Sequence, residues 1–282
     1  MKQPLHFSKQ FLLFLTPLLA SSVVAASPSQ AATFAISQGQ LIFTNLSQRP
    51  LGTSTDTNTN AVAIFQGGNV GASADAQAYF KVTPPEAFNS SLSLAKGIDN
   101  DYLGFAESQA KLIGNFFVGA GKSFSFDFTT FLDLKTAIND PSKEDARANG
   151  SIFWALLDTN NNKILDFFNL TGNLITEGDD DLLEINNSEN VTISNQETKS
   201  NVGGKEEFAT VIVQGSLQQT FTNTTNVSLV EVSSNQVAVK APEPSASVAL
   251  LVYSGVIGIA LKRNRKVSTS TCSLEEKVAT KL

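Results

Sequence analysis

Over most of the body, apolar and polar positions alternate with a period of two, and turn residues bound the alternating stretches. Half-buried β-strands give this pattern, because successive side chains point to opposite faces. Phe124, Phe126, Phe128, Leu132 and Leu134 share one face, with Ser123, Ser125, Asp127 and Thr129 on the other. Ala209, Val211, Val213, Leu217 and Phe221 repeat the arrangement. Ile152, Trp154 and Leu156, followed by residues 164–170, predict two strands joined as a hairpin across Asp158 to Lys163. Residues 227–239, rich in β-branched side chains, predict the last strand, and residues 62–65 and 72–82 predict earlier ones.

Helical signals are few. Pro84-Pro85-Glu86 predicts the start of a short helix through Ala95, ended by Gly97. Residues 53–60 read as a polar loop. Residues 186–204 read as an Asn- and Ser-rich connection with a short strand at 191–193 before a Gly203-Gly204 turn. There is no internal repeat. About ten short strands in one body predict an all-β, two-sheet sandwich of jelly-roll or immunoglobulin-like type. The 20 Phe residues then fill the space between the sheets.

The ends differ from the body. Lys2 and Lys9 precede an apolar run from Phe11 to about Ala20, and small residues follow at Val24-Ala25-Ala26 and Ser29-Gln30-Ala31. This three-part order predicts a signal helix over residues 1–31, with cleavage after Ala31 by signal peptidase. The body occupies residues 32–240. Near the other end, residues 245–261 form an uncharged run of 17 residues. As a helix the run would reach about 26 Å, slightly short of a hydrocarbon core of about 30 Å. Lys262, Arg263, Arg265 and Lys266 follow it and would hold that side in the cytoplasm, leaving the body outside.

Pro242-Glu243-Pro244, the hydrophobic run and the basic cluster together resemble the PEP-CTERM sorting signal, here over residues 241–266. The resemblance implies recognition by an exosortase and a transient stop in the inner membrane. It further implies cleavage near Pro-Glu-Pro and delivery to the cell surface or extracellular matrix, a hydrophobic tail serving as an address. Residues 267–282 extend beyond the point where such signals usually end. The segments Asn149-Gly150-Ser151-Ile152-Phe153-Trp154, residues 165–174 and residues 221–229 are similar to a cyanobacterial group of PEP-CTERM proteins. That likeness implies a shared fold over most of residues 40–240 and brings no activity with it.

Charge and composition narrow the function. Between residues 32 and 241 there are 12 Lys and Arg against 23 Asp and Glu, a net of −11. Such a surface argues against nucleic acid, which needs clustered cations. It also disfavours anionic polysaccharide unless a divalent cation bridges the two. The single His is His6 and the single Cys is Cys272, so the body contains neither. Ser-His-Asp and Cys-His catalysis, imidazole or thiolate metal sites and disulfides are thereby removed from it.

Candidate sites remain. Asp158, Asn160, Asn162 and Asp166 partly match the spacing of a Ca2+ loop. Lys163 stands where that loop needs Gly and Asn169 where it needs a bidentate Glu, so a hairpin turn built from Asn and Asp is the competing and stronger reading. Gly178-Asp179-Asp180-Asp181, with Glu177 and Glu184, is the densest acidic cluster, a cation site or simply a solvated turn. Carboxylates such as Asp127, Asp133, Asp166 and Glu184 raise glycoside hydrolysis, although nothing in sequence pairs two across a cleft. Trp154, Tyr79 and Tyr102 would stack on sugar rings if exposed, and Trp154 in its apolar strand reads as core. The expectation is an exported, non-catalytic surface or matrix protein with a structural or adhesive role and possible contact with exopolysaccharide. The alternatives are a carbohydrate- or calcium-binding module and a carboxylate-based glycoside hydrolase.

Overall fold

The alternation read from the sequence becomes twelve antiparallel strands in the computed structural model, which describes residues 32–99, 101–141, 143–176 and 181–241. In chain order they are β1 (Ala32–Thr44), β2 (Gly52–Phe65), β3 (Asn69–Val82), β4 (Pro85–Ile98), β5 (Tyr102–Val118) and β6 (Lys122–Ala137). Then follow β7 (Asp145–Asp158), β8 (Lys163–Ile175), β9 (Leu182–Asn187), β10 (Val191–Asn201), β11 (Glu206–Phe221) and β12 (Thr225–Ala241). Sheet A has the order β10-β11-β6-β1-β4-β3 and sheet B the order β2-β5-β12-β7-β8-β9. The two sheets pack face to face, so the all-β, two-sheet expectation holds. The predicted signal segment with Ala31, the sorting tail with Pro242, Glu243, Pro244, Lys262, Arg263, Arg265 and Lys266, and residues 267–282 lie outside the described residues.

The inner faces of the sheets are not uniform. Where β6 and β11 face β7 and β8, the filling is aromatic. Phe43, Phe124, Phe126, Phe128, Trp154 and Phe168 are all buried there. Most of their rings meet edge-on or tilted, and Trp154 stacks on Phe168: Trp154 lies 5.1 Å from Phe126 and 5.4 Å from Phe128, and Phe43 lies 5.1 Å from Phe126. Such pairs add to the area term, which alone is about 1.5–3 kcal/mol for each large side chain buried. Leu132 and Leu134 join this face as the alternation predicts, as do Ala209, Val211, Val213 and Leu217 of β11.

Where β3 and β4 face β2 and β5, the filling is small. Ala87, Asn89, Ser91, Ser93, Ala95 and Gly97 line the inner side of β4, opposite Ala106, Ser108 and Ala110 of β5. Gly97 has no room for a side chain, since a Cβ there would fall 2.0 Å from the Tyr102 ring. The Tyr102 hydroxyl in turn shares a hydrogen bond with Thr33 Oγ1.

Three sequence expectations are corrected here. The segment from Pro84 through Ala95 is not a helix: Pro84 lies in the turn after β3, and from Pro85 onward the chain is β4, paired on both sides with β1 and β3. Its apolar residues Phe88, Leu92 and Leu94 face outward and its small polar residues inward, the reverse of the polarity that marks a strand. Residues 53–60 are not a loop but most of β2, where Thr53, Thr55, Thr57 and Thr59 supply β-branched strand formers without any apolar signal. The short strand at 191–193 extends to Asn201 as β10, carried along by its pairing with β11. The Phe residues also divide: Phe88, Phe105, Phe117, Phe131, Phe153, Phe167 and Phe208 lie on outer faces, opposite in parity to their buried neighbours.

The aromatic half should dominate stability. Replacing Phe126 with Ala is expected to cost about 3–5 kcal/mol, measured as a lower denaturation midpoint with the slope unchanged.

Candidate functional site: a polar seam between the sheets

Polar residues cross the thin half of the sandwich in one connected seam. Ser91 Oγ and Ser233 Oγ are 2.7 Å apart, and Ser93 Oγ and Ser108 Oγ 2.9 Å. Asn235 Nδ2 donates to Ser91 O at 3.0 Å and to Ser91 Oγ at 2.5 Å. Its Oδ1 accepts from Ser37 Oγ at 2.5 Å, and Ser37 Oγ also reaches Asn149 O at 2.7 Å. Ser93 Oγ donates to Asn235 O at 3.0 Å. The seam therefore ties β1 and β4 of sheet A to β5, β7 and β12 of sheet B. Gly39 and Gly150 keep it open: a Cβ at Gly39 would fall 2.6 Å from Ser233 Oγ, and one at Gly150 would fall 2.8 Å from Asn235 Oδ1.

Glu231 ends the seam. It is fully buried, flanked in register by Leu112 and Trp154, and its Oε2 accepts a hydrogen bond from Asn89 Nδ2. Asn89 Nδ2 also donates to Ala110 O at 2.8 Å. Burial pushes the Glu231 carboxyl well above the ordinary carboxylate range, and the Asn89 bond only partly offsets it. Asn89 Oδ1, Glu231 Oε1 and Trp154 Nε1 are buried and lack a protein partner. A proton on the Glu231 carboxyl adds one donor among these groups. Chemically the seam is a lock and not a reaction centre, because its hydroxyls are spent on one another and shut away from water.

The residues predicted from sequence lie elsewhere. Asp158, Asn160 and Asn162 share the β7–β8 turn at one end of the sandwich. Asp158 Oδ1 accepts the Asn160 backbone N–H at 2.9 Å, Asn160 Oδ1 accepts from Asn226 Nδ2 at 3.3 Å, and Asn162 has a φ of 55°. These are the bonds and left-handed backbone of an Asn/Asp turn. Asp166 stands apart from them: it is buried, and its Oδ1 accepts from Ser188 Oγ at 2.8 Å and Asn190 Nδ2 at 3.1 Å. Among the described residues, no three Asp or Glu side chains converge as metal ligands would. Of the acidic cluster, residues 177–180 are outside the described residues, and Asp181 Oδ1 accepts the Ile175 N–H at 3.0 Å.

The carboxylates considered for glycoside chemistry are dispersed. Asp127 accepts from Asn45 Nδ2 at 2.6 Å, and Asp133, on the same outer face, pairs with Lys135 at 3.0 Å and accepts from Thr210 Oγ1 at 2.5 Å. Asp166 and Glu184 are in the other sheet, Asp166 facing inward on β8 and Glu184 exposed on β9. Trp154 and Tyr102 are fully buried, whereas Tyr79 is 37% exposed and stacks on Phe88 with ring centroids 5.3 Å apart. Along that outer face of sheet A run Gln77, Ser90, Gln40 and Phe131 in register, and an open groove of about 420 Å³ lies beside Gly71, Ser73, Leu94, Lys96 and Ile98. Compared with protein-family models, curated proteins and solved structures, the chain matches none.

The buried carboxyl sets a pH dependence. Its folded pKa lies above its unfolded value, so unfolding releases a proton once the pH exceeds about 4.5. Stability from this group is complete below that point and is lost as pH rises toward the folded pKa. Glu231→Gln is expected to flatten the decline and raise the melting temperature at neutral pH relative to the parent, as a pH series of thermal melts would record.

Proposed function

We propose that the protein is exported, sorted by its C-terminal signal and placed at the cell surface or in the extracellular matrix, where it has a structural or adhesive role without catalysis. On this reading a signal helix precedes and a hydrophobic helix follows a sandwich of jelly-roll or immunoglobulin-like kind. One observation carries it. Ala32 pairs with Ile98 and Ala241 with Tyr102, so both ends of the body leave from one pole, beside the β4–β5 turn. A domain tethered there presents its opposite pole, with the turns at residues 45–51, 119–121 and 159–162, away from the tether. The seam supports the same reading, since it commits the interior hydroxyls to holding the sheets together.

The test is the mass and cellular fraction of the mature protein. A surface-fraction species that lacks residues 1–31 and the tail beyond the Pro242-Glu243-Pro244 region is expected. An intact tail in the inner membrane would replace sorting with a plain anchor, and a cytosolic form with its first residues intact would overturn export.

The stacked and exposed Tyr79 favours a second reading, a carbohydrate-binding face on sheet A with amide and hydroxyl neighbours Gln77 and Ser90. Tyr79→Ala should then reduce retention on the producing strain's exopolysaccharide by about tenfold, a loss of about 1.4 kcal/mol, while leaving the melting temperature unchanged. Equal retention of parent and variant would remove this reading.

A further inference from the structure

Four strands border the two sheets: β3 and β10 in sheet A, β2 and β9 in sheet B. Sheet borders expose unpaired backbone N–H and C=O groups, and folded proteins usually blunt them with charges, bulges or short strands. β10 is bulged between Ile193 and Asn195 and carries Glu197 and Lys199. β9 has only 6 residues and carries Glu184. β3 carries Asp75 and Lys81. β2 is the exception. It runs for 14 residues in unbroken register with β5, has no Pro or Lys, and bears a single charge, Asp56. Its side chains are exposed on both faces from Gly52 to Ala61, although β3 of the facing sheet lies nearby, and no strand pairs with its outer border among the described residues.

What satisfies such a border is another extended backbone. We propose that β2 pairs antiparallel with β2 of a second copy of this chain, about a two-fold axis centred on Thr57. The contact is isologous and joins the two copies of sheet B into one continuous sheet. Charge selects the partner and the register. The body is strongly acidic, so two copies meet most readily where few charged side chains must be brought together, and β2 has one in 14 residues where β3 and β10 each have two. Centring on Thr57 sets Asp56 opposite Asn58 of the partner subunit, not opposite a second carboxylate. On the other face it sets Thr55 against Thr59 of the partner subunit, and Thr–Thr pairs are favourable across strands. The blunted borders β3, β9 and β10 compete poorly for the same strand. The inference is independent of the export reading.

The test is sedimentation of the full chain in detergent micelles, alongside single-cysteine cross-linking. The parent is expected to dimerise. Thr55→Lys combined with Thr59→Lys places Lys opposite Lys in this register and is expected to weaken the dimer by at least about tenfold, with circular dichroism unchanged. In a Cys272→Ser background, Thr57→Cys should form an intermolecular disulfide under mild oxidation, whereas Gln77→Cys on β3 should not. A parent that stays monomeric at every concentration would overturn the proposal. So would a dimer that survives the double Lys change, or cross-linking at Gln77 as efficient as at Thr57. If the double Lys variant fails to fold, the cysteine pair decides.

Discussion

Two serine hydroxyls can touch only where their strands stand close. Each reaches a single atom past Cβ, so the contacts from Ser91 to Ser233 and from Ser93 to Ser108 hold the sheets nearer than the ~10 Å usual for face-to-face packing. That separation governs the rest of the sandwich. Close approach also marks this half away from the seam, where a Cβ at Gly104 would fall 2.7 Å from Val70 Cγ2. Most large side chains are in two other places. They fill the other half of the interior, around Trp154, or they move to the outer faces, as Phe88, Leu92 and Leu94 do on β4. The exposed aromatic surface and the polar interior are thus two results of one spacing.

A seam of this kind also fixes register. Sliding one sheet by two residues against the other would bring Glu231 or Asn235 against alanine or an aromatic ring and leave buried polar groups unpaired. Each such group costs about 1–3 kcal/mol, whereas a satisfied hydrogen bond returns only about 0.5–1.5 kcal/mol net. The seam therefore contributes more to selecting one alignment than to overall stability, as connected buried networks do. Glu231 is its most costly member, because it must hold a proton at a pH where it would ionise in water.

How much of this was legible in the sequence depends on which side of each strand carried the apolar residues. Strands β6, β7, β8 and β11 announce themselves through inward Phe, Leu, Ile, Val or Trp over part of their length, and β12 does so at its two ends. The turn from Asp158 to Lys163 was legible for the same reason, being a polar gap between two such strands. β4 inverts the pattern and β2 has no apolar face along its first eight residues, so the Pro84-Pro85-Glu86 and Gly97 signals pointed to a helix for one and polar composition to a loop for the other. Pairing with β5, β1 and β3 decides both, and pairing is a non-local fact. The seam residues were missed because Ser and Asn at alternate positions read as a solvated face. Their signal was present in Asn89, Ser91, Ser93 and again in Glu231, Ser233, Asn235. It becomes readable only once two such strands are known to face each other across the sandwich.

The geometry of the ends and the geometry of the open border constrain each other. Ala32 and Ala241 leave from one pole, so on the proposed export and sorting every copy would have a tethered end and a free end, with β2 running along the flank between them. Antiparallel pairing of β2 with β2 reverses the long axis of one copy relative to the other. The two tethered poles then lie at opposite ends of the joined sheet. Two copies held in the same membrane patch by their tails cannot meet in this way without one of them being released. Copies on facing surfaces can, and so can copies already freed from their tails. Tethering and border pairing are therefore compatible in an assembly that bridges surfaces or forms after processing, which is what an adhesive or matrix role requires.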